Sequence, residues 1–135
     1  MSQFQINWLD ETKTVTYYDL NGPWTWSDIL EIRREKMDMI DSVKHRVHHV
    51  VNITYDLIPP QSLINAKLAS DIFHPREGLN IYIGKSMGLE SVVSIVPQVY
   101  GKSSFVERTR FVQTIEGAMK EIQKFENQNP LQSPN

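Results

Sequence analysis

The residues Asn21 to Asp28, reading Asn-Gly-Pro-Trp-Thr-Trp-Ser-Asp, constrain this chain more than any other stretch: they read as one corner where a strand stops and a helix starts. Thr14 to Leu20 in front of them is rich in β-branched and aromatic residues, and behind them apolar residues recur at helical spacing to about Ile40. Asn21 and Gly22 tolerate positive φ, and Pro23 fixes its own φ and cannot continue a strand ladder. Thr25 then fits the N-cap, with Asp28 three residues on closing a variant of the capping box. Trp24 and Ile29 fall on the two positions of a hydrophobic staple, so Trp24 and Trp26 are expected in the core rather than at a ligand.

Outward from that corner the other elements follow. Phe4, Ile6 and Trp8 alternate with polar residues, as in a half-buried strand over 4–9, and the short turn after it makes a hairpin with Val15 to Leu20. A first helix is expected from about Trp26 to Asp41. Its apolar stripe is Trp26, Ile29, Leu30, Met37 and Ile40, flanked by Ile32, with Arg33, Arg34, Glu35 and Asp38 among the charged positions. Val47 to Tyr55 holds Val50, Val51 and Ile53, a short apolar run that marks a central strand covered on both faces. Further helices are expected over 62–73 and 86–99, where Pro97 should kink or end the second of them. Strands are expected over 79–83 and, after a loop over 101–104, within 105–112, chiefly at Thr109 to Val112, and a last helix follows its cap Thr114. The order β-β-α-β-α-β-α-β-α forces right-handed crossovers. It predicts a single α/β domain over 1–126, with a five-strand, mixed, mainly parallel sheet packed with helices. Residues 127–135, rich in proline and asparagine, read as a flexible tail.

Composition narrows the function. With 14 basic against 16 acidic residues, the net charge of -2 gives no bulk attraction for nucleic acid or an anionic membrane. The absence of cysteine removes disulfides, zinc-thiolate sites, iron–sulfur clusters and a cysteine nucleophile. Residues 1–11 lack the basic and apolar regions of a signal peptide, and no apolar run approaches a membrane span. The expectation is a cytoplasmic protein without membrane insertion.

Each candidate for chemistry has a plainer structural reading. Gly84-Lys85-Ser86 between a strand and a helix suggests a phosphate loop, but Leu79 stands where that motif needs glycine. What is left is a possible anion site at Gly84, Lys85 and Ser86, or simply a turn capped by Ser86. His45, His48 and His49 cluster near Asp41, yet neighbouring strand residues point to opposite faces, so the default is solvent-facing residues at a strand entry and no metal. His74 with Asp71 and Ser70 can be assembled into a catalytic set on paper only; no nucleophile elbow accompanies it, and a helix C-terminus accounts for His74. Ser62 reads as the N-cap of the second helix or as a regulatory hydroxyl, where a phosphate would meet the positive helix end.

The Gly22-Pro23-Trp24-Thr25-Trp26-Ser27-Asp28 corner, the run Val50 to Ile53, the Leu57-Ile58-Pro59-Pro60 approach, the His74-Pro75 exit, the Tyr82-Ile83-Gly84 strand end and the stretch Phe111 to Ala118 together resemble the STAS domain. That domain has the SpoIIAA-like fold of the anti-sigma-factor antagonists; the chain is similar above all to the short stand-alone bacterial proteins of that superfamily, and the likeness covers about residues 4–126. It implies a non-enzymatic signalling module with no cofactor, whose partner is a regulatory kinase or sigma-regulator protein; a homodimer is compatible with it. In that family a serine in the turn before the second helix is phosphorylated. The matching turn here is Pro59, Pro60, Gln61 and Ser62; the family's aspartate and glycine are missing from it, and Ser62 falls where the glycine would be. The resemblance also implies, as an alternative, a carrier of a small ligand, a lipid or an anion, which needs an enclosed pocket near Tyr82, Met87 and Leu89.

Overall fold

The computed structural model describes residues 4–54, 58–84 and 86–130. Its corner forms as its side chains dictate. Thr25 Oγ1 accepts from the Asp28 N–H at 3.2 Å, and Asp28 Oδ2 accepts from the Thr25 N–H at 2.9 Å, completing the capping box. The buried rings of Trp24 and Trp26 meet edge to face at 5.0 Å, and Ile29 packs on the same cluster. Neither Asn21 nor Gly22 has positive φ, so the turn is built from ordinary backbone and the freedom of glycine is not used there.

The elements are β1 (Asn7–Trp8), β2 (Val15–Leu20), α1 (Trp26–Asp41), β3 (Val47–Ile53), α2 (Ser62–Asp71), β4 (Glu77–Ile83), α3 (Met87–Tyr100), α4 (Ser104–Glu107), β5 (Thr109–Val112) and α5 (Ile115–Gln128). The sheet runs β1-β2-β3-β4-β5; β1 is antiparallel to β2 and the other pairs are parallel. Consecutive parallel strands that are also neighbours, joined by right-handed crossovers, place their helices on one face. That face carries Tyr18, Leu20, Val51 and Ile53 under α1, α2 and α3. The chain then turns α5 back over the other face, where Ala118 and Ile122 meet Val15, Val50, Leu79 and Ile81.

The expected fold class holds, with corrections at the edges. β1 has two residues because only Asn7 and Trp8 pair with β2. The single turn α4 takes the end of the expected loop and the first part of the range 105–112 in which the fifth strand was expected, so that β5 is left with Thr109–Val112; Ser103 Oγ accepts from the Val106 N–H. Pro97 lies inside α3, which continues to Tyr100 and closes on Gly101 at φ 90°. Asn127 and Gln128 are helical rather than part of a tail, and 131–135 lie outside the described residues. Among the described residues no helix is long and apolar enough to cross a membrane.

One irregularity matters for the site. Val47 pairs with Glu77 and His49 with Asn80, so β4 carries two residues, Gly78 and Leu79, opposite His48. Such a bulge reverses the alternation of side chains, and it turns Glu77 onto the face of Asn80 and α1. His48 fills the bulge from the other face: its Nδ1 accepts from the Leu79 N–H at 2.9 Å. A Cβ on Gly78 would lie 2.3 Å from that same nitrogen, so the ring and any larger residue exclude each other.

Candidate functional site

The inward stripe of α1 is Trp26, Ile29, Arg33, Lys36 and Ile40, with Ile32 beside it; Arg33 and Lys36 are 2% exposed. This corrects the expected stripe, in which Leu30 and Met37 took those places. Two cations therefore lie between α1 and the sheet.

They are treated differently. Arg33 Nη1 donates to Glu77 Oε2 at 2.5 Å and Nη2 to Oε1 at 2.9 Å, a bidentate pair. Nη2 also donates to the Ile72 carbonyl, and the guanidinium stands 4.6 Å from the Phe105 ring centre. Glu77 accepts in addition from Asn80 Nδ2 at 2.8 Å and from the His74 N–H at 3.3 Å. Arg33 and Glu77 thus neutralise each other and meet most of each other's hydrogen-bonding demand.

Lys36, one turn further on, has no such partner. Its Nζ stands 4.9 Å from the Tyr18 ring centre, and among the described residues no carboxylate lies within ion-pair distance of it. Burial, then the like charge of Arg33, lowers its pKa to about 7, against a weaker upward pull from Glu77. His49 faces the same layer, with Nδ1 2.6 Å from Thr16 Oγ1 and Nε2 3.6 Å from Glu77 Oε2. Burial, then Lys36 and Arg33, holds His49 well below the usual histidine range, so it is neutral. Burial raises Tyr18 well above the ordinary phenol value and Tyr82 to about 12.

Arg33 and Lys36 line a cavity of about 40 Å³ whose walls include Tyr18, Trp24, Trp26, Tyr82, Leu89 and Phe105. Trp24 Nε1, Trp26 Nε1, Arg33 Nε and His49 Nε2 are buried without a hydrogen-bond partner among the described residues. Chemically the site is an aromatic box rich in donors, with one cation in excess.

The structure separates the sets assembled from the sequence. His48 and His49 are fully buried rather than solvent-facing, because β3 is the central strand and both its faces are covered. His48 Nε2 bonds Glu126 Oε1 at 2.6 Å, and Glu126 also takes Arg46 Nη1 at 2.8 Å, so this cluster pins α5 to β3. With Nδ1 accepting from Leu79, His48 is neutral and donates through Nε2, in line with the downward shift that burial gives it. His45 bonds the Lys13 carbonyl at 2.8 Å. His74 pairs with Asp41 at 2.7 Å, Asp71 pairs with Lys67, and Ser70 donates to the Lys67 carbonyl at 2.8 Å, so the three do not form a set.

At the expected regulatory turn, Pro59 and Pro60 lead to Gln61, which takes the cap position at φ 59° with no side-chain cap bond. Ser62 is the first residue of α2, not its N-cap, which corrects that expectation. Ser62→Ala should therefore cost less than about 0.5 kcal/mol, below the roughly 0.5–2 kcal/mol of a lost cap, as read by urea denaturation. At the expected anion turn, Gly84 has φ 114° and the Ser86 hydroxyl caps α3 by accepting from Leu89 N–H at 3.2 Å. Lys85 lies outside the described residues. Of the residues expected around a ligand pocket, Tyr82 and Leu89 line the cavity, and Met87 stands outside it, 79% exposed. The sequence reading missed Arg33, Lys36, Glu77 and His49 as site residues; the signal available was the 3-4-3-4 spacing of 26, 29, 33, 36 and 40.

The chain matches no family model, no curated protein and no solved structure.

Proposed function

We propose that the protein is a non-enzymatic, cytoplasmic regulatory module of the STAS type, which binds a partner of the regulatory-kinase or sigma-regulator class through α2 and the Pro59–Ser62 turn. One observation carries this reading: α2 turns its large apolar residues outward. Ile64 and Leu68, one turn apart, are 46% and 47% exposed, whereas the buried residues of that helix are Ala69 and Ser70. Ile95 and Val99 are exposed on α3, which packs beside α2. Exposed large apolar residues on two neighbouring helices support an interaction site here. Ser62, at the first position of α2, keeps a hydroxyl at the positive end of the helix that meets the partner.

The test is capture from host lysate with the wild-type chain and with Leu68→Glu. The expected result is recovery of a kinase or sigma-regulator by the wild type and at least tenfold less by the variant, with folding stability changed by no more than about 0.5 kcal/mol. Equal recovery by both would refute the surface. A doubled solution mass of the wild type that L68E reduces to one chain would refute the heterologous partner, because the face would then join two copies.

A second reading, a carrier of a small ligand, is favoured by the cavity under α1. Its size, about 40 Å³, against the roughly 10–15 Å³ that one water needs, leaves no room for a lipid chain.

A further inference from the structure

We propose that the cavity beneath α1 binds a small carboxylate of the size of formate, with Lys36 as its counter-cation. The inference rests on the second reading above and names its ligand class.

The case starts from a count of donors and acceptors. A buried polar group without a partner is costly, so a native interior supplies each donor with an acceptor. Among the residues that line the cavity the unmatched atoms are all N–H groups of indole and guanidinium: Trp24 Nε1, Trp26 Nε1 and Arg33 Nε. Indole and guanidinium have no acceptor capacity to exchange. Lys36 adds further donors and lines the same cavity as Arg33 and both tryptophans. Water can both give and take a hydrogen bond, whereas the deficit here is in acceptors alone. A carboxylate is acceptor-only, with two oxygens.

Charge points the same way. The groups facing Lys36 are Arg33 on its own helix, Tyr18 on β2, His49 on β3, and Glu77 and Tyr82 on β4. The cavity residues from α2, α3 and α4 are Ala66, Ala69, Leu89, Val93 and Phe105, none titratable. Glu77 is the one carboxylate of this set and is held bidentate by Arg33. One buried cation is left over, so a monoanion restores neutrality. Burial lowers the Lys36 pKa to about 7, and a bound anion favours the charged form of the amine. Volume sets the size of the ligand.

The experiment is isothermal titration of the full-length chain with sodium formate at fixed ionic strength, at pH 6.5 and 8.5. Formamide serves as the uncharged comparator and chloride as the non-carboxylate anion, with Lys36→Met and Lys36→Gln as variants. The expected result is saturable formate binding at pH 6.5, more than tenfold weaker at pH 8.5 as Lys36 loses its proton, and at least tenfold weaker in both variants. Formate binding unchanged in K36M and K36Q overturns the role of Lys36. Formamide binding as tightly as formate overturns the anion and leaves the carrier reading standing; chloride binding as tightly overturns the carboxylate. No heat with any probe overturns the inference and the carrier reading together.

Discussion

Replacing Glu77 by alanine should destabilise the fold by about 3–5 kcal/mol, the range for breaking a fully buried ion pair from one side. Glu77 is completely buried, and its two oxygens take both terminal nitrogens of Arg33 together with Asn80 and the His74 backbone. Alanine leaves Arg33 as a second unpaired cation next to Lys36, and it strands the amide of Asn80. The effect should fall on the midpoint of urea unfolding with little change in slope, because the surface exposed on unfolding is nearly the same. Glu77→Gln, which keeps the shape and loses the charge, should also destabilise strongly. A loss below about 1 kcal/mol for E77A would show that the Arg33–Glu77 pair does not hold α1 to β4.

Lys36→Met has the opposite sign. Methionine follows the same path through the layer without an ammonium group, and the variant should be more stable than the wild type by roughly 2–4 kcal/mol at pH 7. The reason is linkage. The unfolded chain holds the Lys36 proton up to about pH 10.4, whereas the folded chain releases it at about 7. Between those values the unfolded state binds the extra proton, so wild-type stability rises with pH by roughly 1 kcal/mol per unit. Below about 7 the penalty is complete, and above the unfolded value it is gone. The gap between K36M and wild type should therefore close as pH is raised from 7 towards 10. His48 and His49, buried neutral, act in a lower window: as pH falls below their unfolded value near 6.5, the unfolded chain takes up protons that the folded chain refuses, and stability drops in both proteins. Parallel stability curves for K36M and wild type above pH 7 would contradict the buried amine.

The backbone plan was legible because its signals are local. The capping box at Thr25 and Asp28 specifies where α1 starts, and the run Val50 to Ile53 identifies the central strand. Alternation of strands and helices then dictates the parallel sheet. The site was not legible, for two physical reasons. Charged residues on a helix usually face water, so Arg33 was placed among the charged positions and Lys36 was passed over, although their spacing matches Trp26 and Ile40. Glu77 owes its direction to a bulge, and a bulge depends on the partner strand: Gly78 alone does not announce that His48 needs its space. His48 and His49 were misplaced because the apolar run that marks β3 as central begins only at Val50, so the two histidines read as a strand entry, whereas the sheet is covered on both faces from Val47 onward. At α2, a serine before an apolar run suggested a cap, but the chain enters that helix through left-handed Gln61.

The central claim is that Lys36 is a cation buried without a partner, and the most direct measurement is its own titration. Lysine labelled with ¹³C at Cε, followed by NMR across pH 5 to 11 and assigned by the K36M spectrum, reports the amine alone. The account predicts one lysine that changes charge at about 7 in the absence of added carboxylate, and at a higher pH when formate is present. A Lys36 signal that titrates at the ordinary value above about 10 would contradict it, because the amine would then be solvated or paired and the cavity would hold no excess charge.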